Sequence, residues 1–585
     1  MKSSIVPGYK DLFADQNESY SKLVSGISSE MVIRVMSALN NELNGTGGLQ
    51  GNQAAIFADF TKRFTHEQRG DLKDRLNAFT EKLGEDSVVV FFGPRYFMTM
   101  ILKELNSYRT SEENDDPAIE YQLFKAYLLI IDEVAEKDHQ AIDFKSLIPG
   151  DPDNLLRIMW LPTINQFEYN EKCSQLFETY KSMCFFRFMV NSKYKHYLKE
   201  YLAALHFKSV GRYLKSFDQI NKTVQHTDPN AAMLKRLNYI VPDDGVDQTH
   251  LQRLSVNLKE KDHFDLLDIK VAPLCYAADR KGYMVIDYNY SNKKIFKGAF
   301  FEICHTTSLT QNPDYDDKKR QKIFNTYSKD VSDEFEKQYF KPVMQLFSGD
   351  TNDLVYFDDG TPSCPDCYIR VGNKVILFEY KAYVFQDELI KNPDFAKLNA
   401  YLDKKFVQSE NDQPKGVGQL VNQIELFIKQ SFTFDKELYR LHEDGDIMIF
   451  PVIVYSDFNF SLPGVNNYLN YKMMRLLQEV KGQRLTIAPL VMINLETILD
   501  LAVTDKNMID LGSGFLNYFE FLQQSQAFLA AQPTQNNFMR ANMSFDEFYN
   551  AYLIEPTTDK TLVPKKMREL LILSGIDIDE FNKAL

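Results

Sequence analysis

Cysteine is scarce and scattered: six in 585 residues, at positions 173, 184, 275, 304, 364 and 367. That usage argues against a disulfide-stapled scaffold and is the one expected of a reducing cytosol. Cys364 and Cys367 stand in a C-x-x-C, but zinc needs two further ligands, and the nearest candidates, Cys304 and His305, lie far upstream without a second pair. No apolar stretch approaches the length of a membrane span. Met-Lys-Ser-Ser opens a polar N-terminus with no apolar signal region, so a cytoplasmic protein without membrane contact is expected. Repeats, low-complexity tracts, a Gly-x-x-x-x-Gly-Lys-Ser/Thr phosphate loop and a serine-nucleophile elbow are absent, and ATP-driven action by this chain alone is unsupported. Positive charge is short too. A net charge of −14 argues against coating nucleic acid through bulk charge. Contact with nucleic acid would need a local basic surface, for which Lys318, Lys319, Arg320 and Lys322, and then Lys397, Lys404, Lys405 and Lys415, are candidates.

What is present is a chain with the 44% hydrophobic content of a globular protein, too long for one ordinary core. Its most informative stretch is 364–384. Pro365-Asp366 precedes a β-rich run, a Gly372-Asn373 turn, and a second β-rich run from Val375 to Phe378 that ends in Glu379-Tyr380-Lys381. Two such runs around a Gly-Asn turn predict a hairpin. Its pairing would bring Asp366 and Glu379 together near one end, while strand alternation puts Glu379 and Lys381 on one face. Two carboxylates suit a hard cation, Mg²⁺ or Mn²⁺, and the main-chain carbonyl of Tyr380 is a further oxygen at the same strand end. An acidic pair with an adjacent ammonium is the equipment of metal-assisted phosphodiester cleavage. A lysine at a strand end is expected to gain little packing, so Lys381→Ala is expected to stop cleavage without unfolding the chain.

This arrangement resembles the PD-(D/E)xK phosphodiesterase superfamily, with Asp366, Glu379 and Lys381 at its motif positions. Acid-x-Lys also occurs at Asp71-Leu72-Lys73, Asp268-Ile269-Lys270 and Glu479-Val480-Lys481, but only Glu379 ends an apolar β-run that follows a Pro-Asp strand. The resemblance implies an α/β core of helix, three strands, helix and strand, with a mixed sheet. Ser332 is expected to cap its first helix, running through Phe347 with Phe335, Tyr339, Val343 and Leu346 at helical spacing. Phe335-Glu336 resembles the family's Phe-Glu pairing, so Glu336 is expected to bring a third carboxylate to the metal. Leu354 to Phe357 supplies the first strand. Gly416-Val417-Gly418-Gln419-Leu420 opens an amphipathic helix with Leu420, Ile424, Phe427 and Ile428 on one side. One branch of the superfamily carries Gln-x-x-x-Tyr here. Gln419 takes the glutamine place as a candidate site residue, and Gln423 stands where the tyrosine would be. Ile447 to Tyr455 reads as a buried strand, and Pro451 inside it requires an edge, a bulge or a change of partner.

The rest of the chain supplies a mostly helical N-terminal region over 1–265. Ser28-Ser29-Glu30 leads into Val32, Met36, Leu39 and Leu43, ended by Gly45 to Gly48; helices are also expected from Gln53 to Leu83, from Ile119 to Glu136 and through 168–220. A loop at Asp243-Asp244-Gly245 precedes a small β unit over 266–320, with strands at Ile269 to Ala277, Tyr283 to Tyr288 and Ala299 to His305. The nuclease-like domain covers 321–500 and a helical C-terminal region 501–585. The resemblance implies a metal-dependent nuclease, acting on DNA more readily than RNA, directed by a protein partner or regulatory subunit and serving anti-phage defence. The rival is a catalytically silent nucleic-acid-binding or scaffold subunit, and a third reading is a sensor that needs a partner before it cuts.

Overall fold

A computed structural model describes residues 3–45, 53–83, 87–110, 117–141, 149, 153–225, 239–240, 248–259, 261–277, 282–348, 354–358, 360, 364–429, 431, 434–441, 447–478, 485–504, 508–553 and 561–583. The acidic run Glu112 to Asp116, the loop at Asp243 to Gly245 and the turn residues Asp279 to Lys281 lie outside them. The chain is mostly helical and divides into two compact units. One comprises 1–141, 169–324 and 578–585, the other 142–168 and 325–577. Among the described residues no helix is long and apolar enough to cross a membrane.

The first unit carries two small sheets among its helices. Strand β1 (Ser3–Ile5) pairs in parallel with β2 (Ser87–Val89), and a four-stranded sheet runs β3-β6-β5-β4, from β3 (Tyr239–Ile240), β4 (Ser255–Val256), β5 (Leu274–Ala277) and β6 (Gly282–Val285). The helix Ser29–Gly45 buries Val32, Met36, Leu39 and Leu43, the stripe its spacing dictates. Local capping overturns three expectations. Gln53 to Leu83 is two helices, because Thr65 and Gln68 form a reciprocal cap that starts a new helix at His66. Asp265 and Asp268 do the same for Leu266–Val271, which leaves only Leu274–Ala277 of that predicted strand extended. Asp287 ends the extended run after β6 by capping the helix Tyr288–Lys293, and the chain stays helical through Ala299–Thr306, where a strand was expected. Ala299, Phe300, Ile303 and Cys304 are buried there at helical spacing, a pattern that a short apolar run does not distinguish from a strand.

The second unit is built on a six-stranded mixed sheet in the order β11-β10-β9-β8-β7, with β12 also on β10. Its strands are β7 (Leu354–Phe357), β8 (Cys367–Val371), β9 (Lys374–Lys381), β10 (Ile447–Tyr455), β11 (Leu485–Ile487) and β12 (Val491–Asn494). The first three run antiparallel, and β9 pairs in parallel with β10 along its whole length. Pro451 sits where β10 changes neighbours on its far side, from β11 at Ile447–Ile449 to β12 at Val452–Tyr455. Met448 donates its N–H to Asn373 on the β9 side, while the Ile449 carbonyl accepts from Ala488 on the other. Alternation turns Pro451 the same way as Ile449, so its missing N–H falls at the gap between two partners.

Val375 and Leu377 of β9 and Ile449 and Ile453 of β10 share one face of the sheet and pack with Leu420, Ile424 and Phe427 of the helix Val417–Ile428. On the other face Phe340 stacks on Tyr380, ring centroids 4.8 Å apart. Phe340 belongs to a helix that begins at Asp317, not at Ser332, and continues to Ser348 through one π-helical turn, Glu336–Phe340. Ser332 therefore lies inside a helix and caps nothing. Residues beyond 500 belong to the same core: buried Asp546 accepts from the Tyr455 hydroxyl at the end of β10, from the Asn494 N–H at 2.9 Å and from the Thr497 hydroxyl at 2.5 Å.

A second buried acid locks the hairpin to the loop after the helix Val417–Ile428. Asp435, 3% exposed, accepts from the Tyr368 hydroxyl and from Arg370 Nε at 2.8 Å, and Arg370 is itself 4% exposed. Asp435→Ala would remove the buried carboxylate from a guanidinium that exposed Glu437 approaches at 3.6 Å. Breaking a buried pair from one side costs about 3–5 kcal/mol. Urea denaturation of the variant is expected to show a loss of that size, and a loss below about 1 kcal/mol would mean water reaches the pair.

Candidate active site

The hairpin register builds the site. Gly372 adopts a φ of +59° that lets the chain reverse, and pairing then runs from Val371 opposite Lys374 to Cys367 opposite Phe378. One step further, Asp366 comes opposite Glu379, and its Oδ2 accepts the Tyr380 N–H at 2.6 Å. Residues directly opposite on such a pair share a face. The two carboxylates predicted to meet are thus cross-strand neighbours at the open end of the hairpin.

Glu379 and Lys381 continue the face of Val375 and Leu377, beneath the helix Val417–Ile428. Glu379 is 1% exposed and held from both sides. Lys381 Nζ lies 2.6 Å from its Oε1, and Gln423 Nε2 donates to its Oε2 at 3.0 Å. Gln423, not Gln419, is the glutamine at the site. Gln419 turns back to accept the Gly416 N–H at 2.9 Å and so closes the start of its own helix. Its place three residues after Gly416 is that of a cap, whereas Gln423 interrupts the buried stripe of Leu420, Ile424 and Phe427. A polar side chain in such a stripe needs a buried partner.

Charge is unevenly matched. Asp366 is pushed well above the usual aspartate range by burial, then by Glu379, with Glu336 adding; Lys381 and the Tyr380 N–H oppose. Burial also raises Glu336, with Asp358, Glu379 and Asp333 adding and Lys381 opposing. Glu336 stands at the first position of the π-helical turn, while Phe335 before it is buried as expected. Burial alone would lower Lys381, but Glu379 and Asp366 outweigh it and its pKa is raised. Tyr383, two residues on, has its hydroxyl raised by burial and feels the charges of Lys381, Glu379 and Asp366. Sequence reasoning passed over Tyr383, which carries no motif signal beyond its nearness to Lys381.

Oxygen donors for a hard cation are therefore present: Asp366, Glu379 and the Tyr380 carbonyl. A strand residue turns its N–H and C=O to the same side, so the carbonyl of Tyr380 faces the side on which its N–H meets Asp366. The donor set fits Mg²⁺ or Mn²⁺ chemically. Among the described residues, however, no three His, Cys, Asp or Glu side chains gather as a ready metal cluster. Glu336, expected as a third carboxylate, feels the charges of Lys381 and Glu379. Of the basic residues, Lys404 pairs with Glu410 at 2.5 Å, Arg320 approaches Asp317 at 3.7 Å, and Lys319 lies 3.9 Å from the Tyr315 ring centre.

No protein-family model, no curated protein and no solved structure matches this chain.

Proposed function

We propose that this chain is a metal-dependent nuclease that hydrolyses phosphodiester bonds, in DNA before RNA, under the direction of a protein partner. The observation that carries the proposal is the meeting of Asp366, Glu379 and Lys381 at one strand end, with Gln423 and Lys381 holding Glu379 in place. A Mg²⁺ or Mn²⁺ ion bound there would neutralise phosphate charge and acidify a bound water. The chain's own part begins with Asp366, Glu379 and the Tyr380 carbonyl, which would hold the cation. Gln423 fixes the orientation of Glu379, and Lys381 presents an ammonium to negative charge developing on the phosphate. Glu336 adds negative potential that favours cation capture. The large helical remainder, together with family analogy, supports partner-directed cutting in the cytoplasm as part of anti-phage defence.

A second reading has its own observation. Lys381 already neutralises Glu379, and no three-acid cluster stands ready among the described residues, as a silent scaffold or nucleic-acid-binding subunit would have it. Incubation of the full chain with single- and double-stranded DNA and RNA in Mg²⁺, Mn²⁺ and EDTA, with and without candidate partner proteins, separates the two. Cleavage that needs the divalent ion and disappears in Lys381→Ala supports the nuclease. Intact substrates in every arm leave the silent subunit.

A further inference from the structure

A second cation stands on the ring of Tyr383, two residues beyond Lys381 in the chain. The ammonium of Lys405 lies 4.8 Å from the centre of the Tyr383 ring and 5.9 Å from that of Tyr401. Among the described residues no carboxylate pairs with it. Its neighbour Lys404 is taken by Glu410, and burial first, then the charges of Lys404 and Lys415, lower the Lys405 pKa.

The cluster is held by the fold. Tyr401 donates its hydroxyl to the Val384 carbonyl at 2.9 Å, and Tyr383 packs edge-on against buried Phe406 at 5.7 Å. The π-helical turn Asp403–Val407 leads into a short bridge between Gln408 and Pro414, and the Lys415 N–H returns to the Val407 carbonyl at 3.0 Å. Glycine permits this closure. A side chain at Gly416, which has a φ of +38°, would meet the Phe406 carbonyl at 2.9 Å, and one at Gly418 the Val407 carbonyl at 2.7 Å. Lys405, half-buried on two aromatic rings, and Lys415, carried by the closed loop, make a positive site. Tyr383, on whose ring Lys405 rests, also feels the charges of Lys381, Glu379 and Asp366.

We propose that Lys405, with Lys415, forms a subsite for a backbone phosphate of the nucleic-acid strand, a phosphate other than the one being cut. The proposal rests on the nuclease reading above, and its test reads binding without cleavage so that the two can fail separately. The full chain in EDTA is titrated against a fluorescein-labelled DNA oligonucleotide by anisotropy over a range of salt concentrations. Lys405→Ala is expected to weaken binding about tenfold, the loss of one charge-assisted contact, and to lower the slope of log K against log salt by about 1. Lys405→Arg, which keeps the charge and the stacking, is expected to bind as the wild type does, and thermal melting checks that each variant is folded. Wild-type affinity and slope in folded Lys405→Ala overturn the subsite even where the wild type cuts DNA in Mg²⁺. Weakened binding in Lys405→Ala supports it even where no cleavage is found.

Discussion

Lys381→Ala is expected to lower the rate of metal-dependent cleavage about 10²–10³-fold, the usual effect of removing one preorganised charge contact from a transition state. It is also expected to destabilise the metal-free protein, against the expectation drawn from the sequence. Lys381 is a strand-end residue, but its side chain is 11% exposed and its ammonium is a main partner of a carboxylate that is 1% exposed. Truncation leaves Glu379 buried with the Gln423 amide as its remaining side-chain donor among the described residues. Uncompensated buried charges of this kind cost about 3–5 kcal/mol. The raised pKa of Lys381 sets the pH range. The pair's contribution is complete below the ordinary lysine value and is lost only as pH rises through the higher folded value, so the deficit is visible at neutral pH. Thermal melts in EDTA and in Mg²⁺ check this, since a cation bound to Asp366 and Glu379 returns the missing positive charge and narrows the gap. Wild-type melting of Lys381→Ala in EDTA would show that Glu379 is solvated after all.

Asp366→Asn is expected to do the opposite to stability while also stopping cleavage. The amide keeps an oxygen for the Tyr380 N–H and removes a charge that burial and Glu379 disfavour. Because the folded-state pKa of Asp366 lies above its unfolded value, the folded chain holds that proton more tightly. Its favourable contribution is full below the unfolded value and disappears as pH rises through the folded one. The variant should therefore match the wild type in acid and exceed it at neutral pH, when both are measured in EDTA. Magnesium reverses the order: a ligand at 100 times its Kd stabilises the wild type by about 2.7 kcal/mol, and the variant, deprived of one ligand, gains little. An Asp366→Asn protein that is less stable than the wild type in neutral EDTA, or that Mg²⁺ stabilises equally, would remove Asp366 from the proposed cation site.

The local parts of the site were legible because their signals are local. Two β-rich runs on either side of Gly372-Asn373 determine a hairpin, and continuing the register of that hairpin by one residue places Asp366 opposite Glu379. The helix Val417–Ile428 follows from Leu420, Ile424 and Phe427 at their spacing, and of the edge, bulge or change of partner that Pro451 allowed, β10 makes the change of partner. Where two local signals compete, capping decides, and Ser332 shows the limit. A residue able to start a helix does so only if the preceding chain is not already helical, and here the helix begins at Asp317. The sequence by itself thus determined the strand pairing at the centre of the site and which residue types stand at its end. Only the tertiary structure decided how those residues are used: that Gln423 rather than Gln419 reaches Glu379, that Lys381 is buried on a carboxylate, that Asp546 ties the C-terminal helices to β10 and β12, and that Lys405 comes to rest on Tyr383. Pairing and periodicity are set by neighbours along the chain, whereas exposure, charge balance and the partner of a polar side chain are set by groups that packing brings from elsewhere.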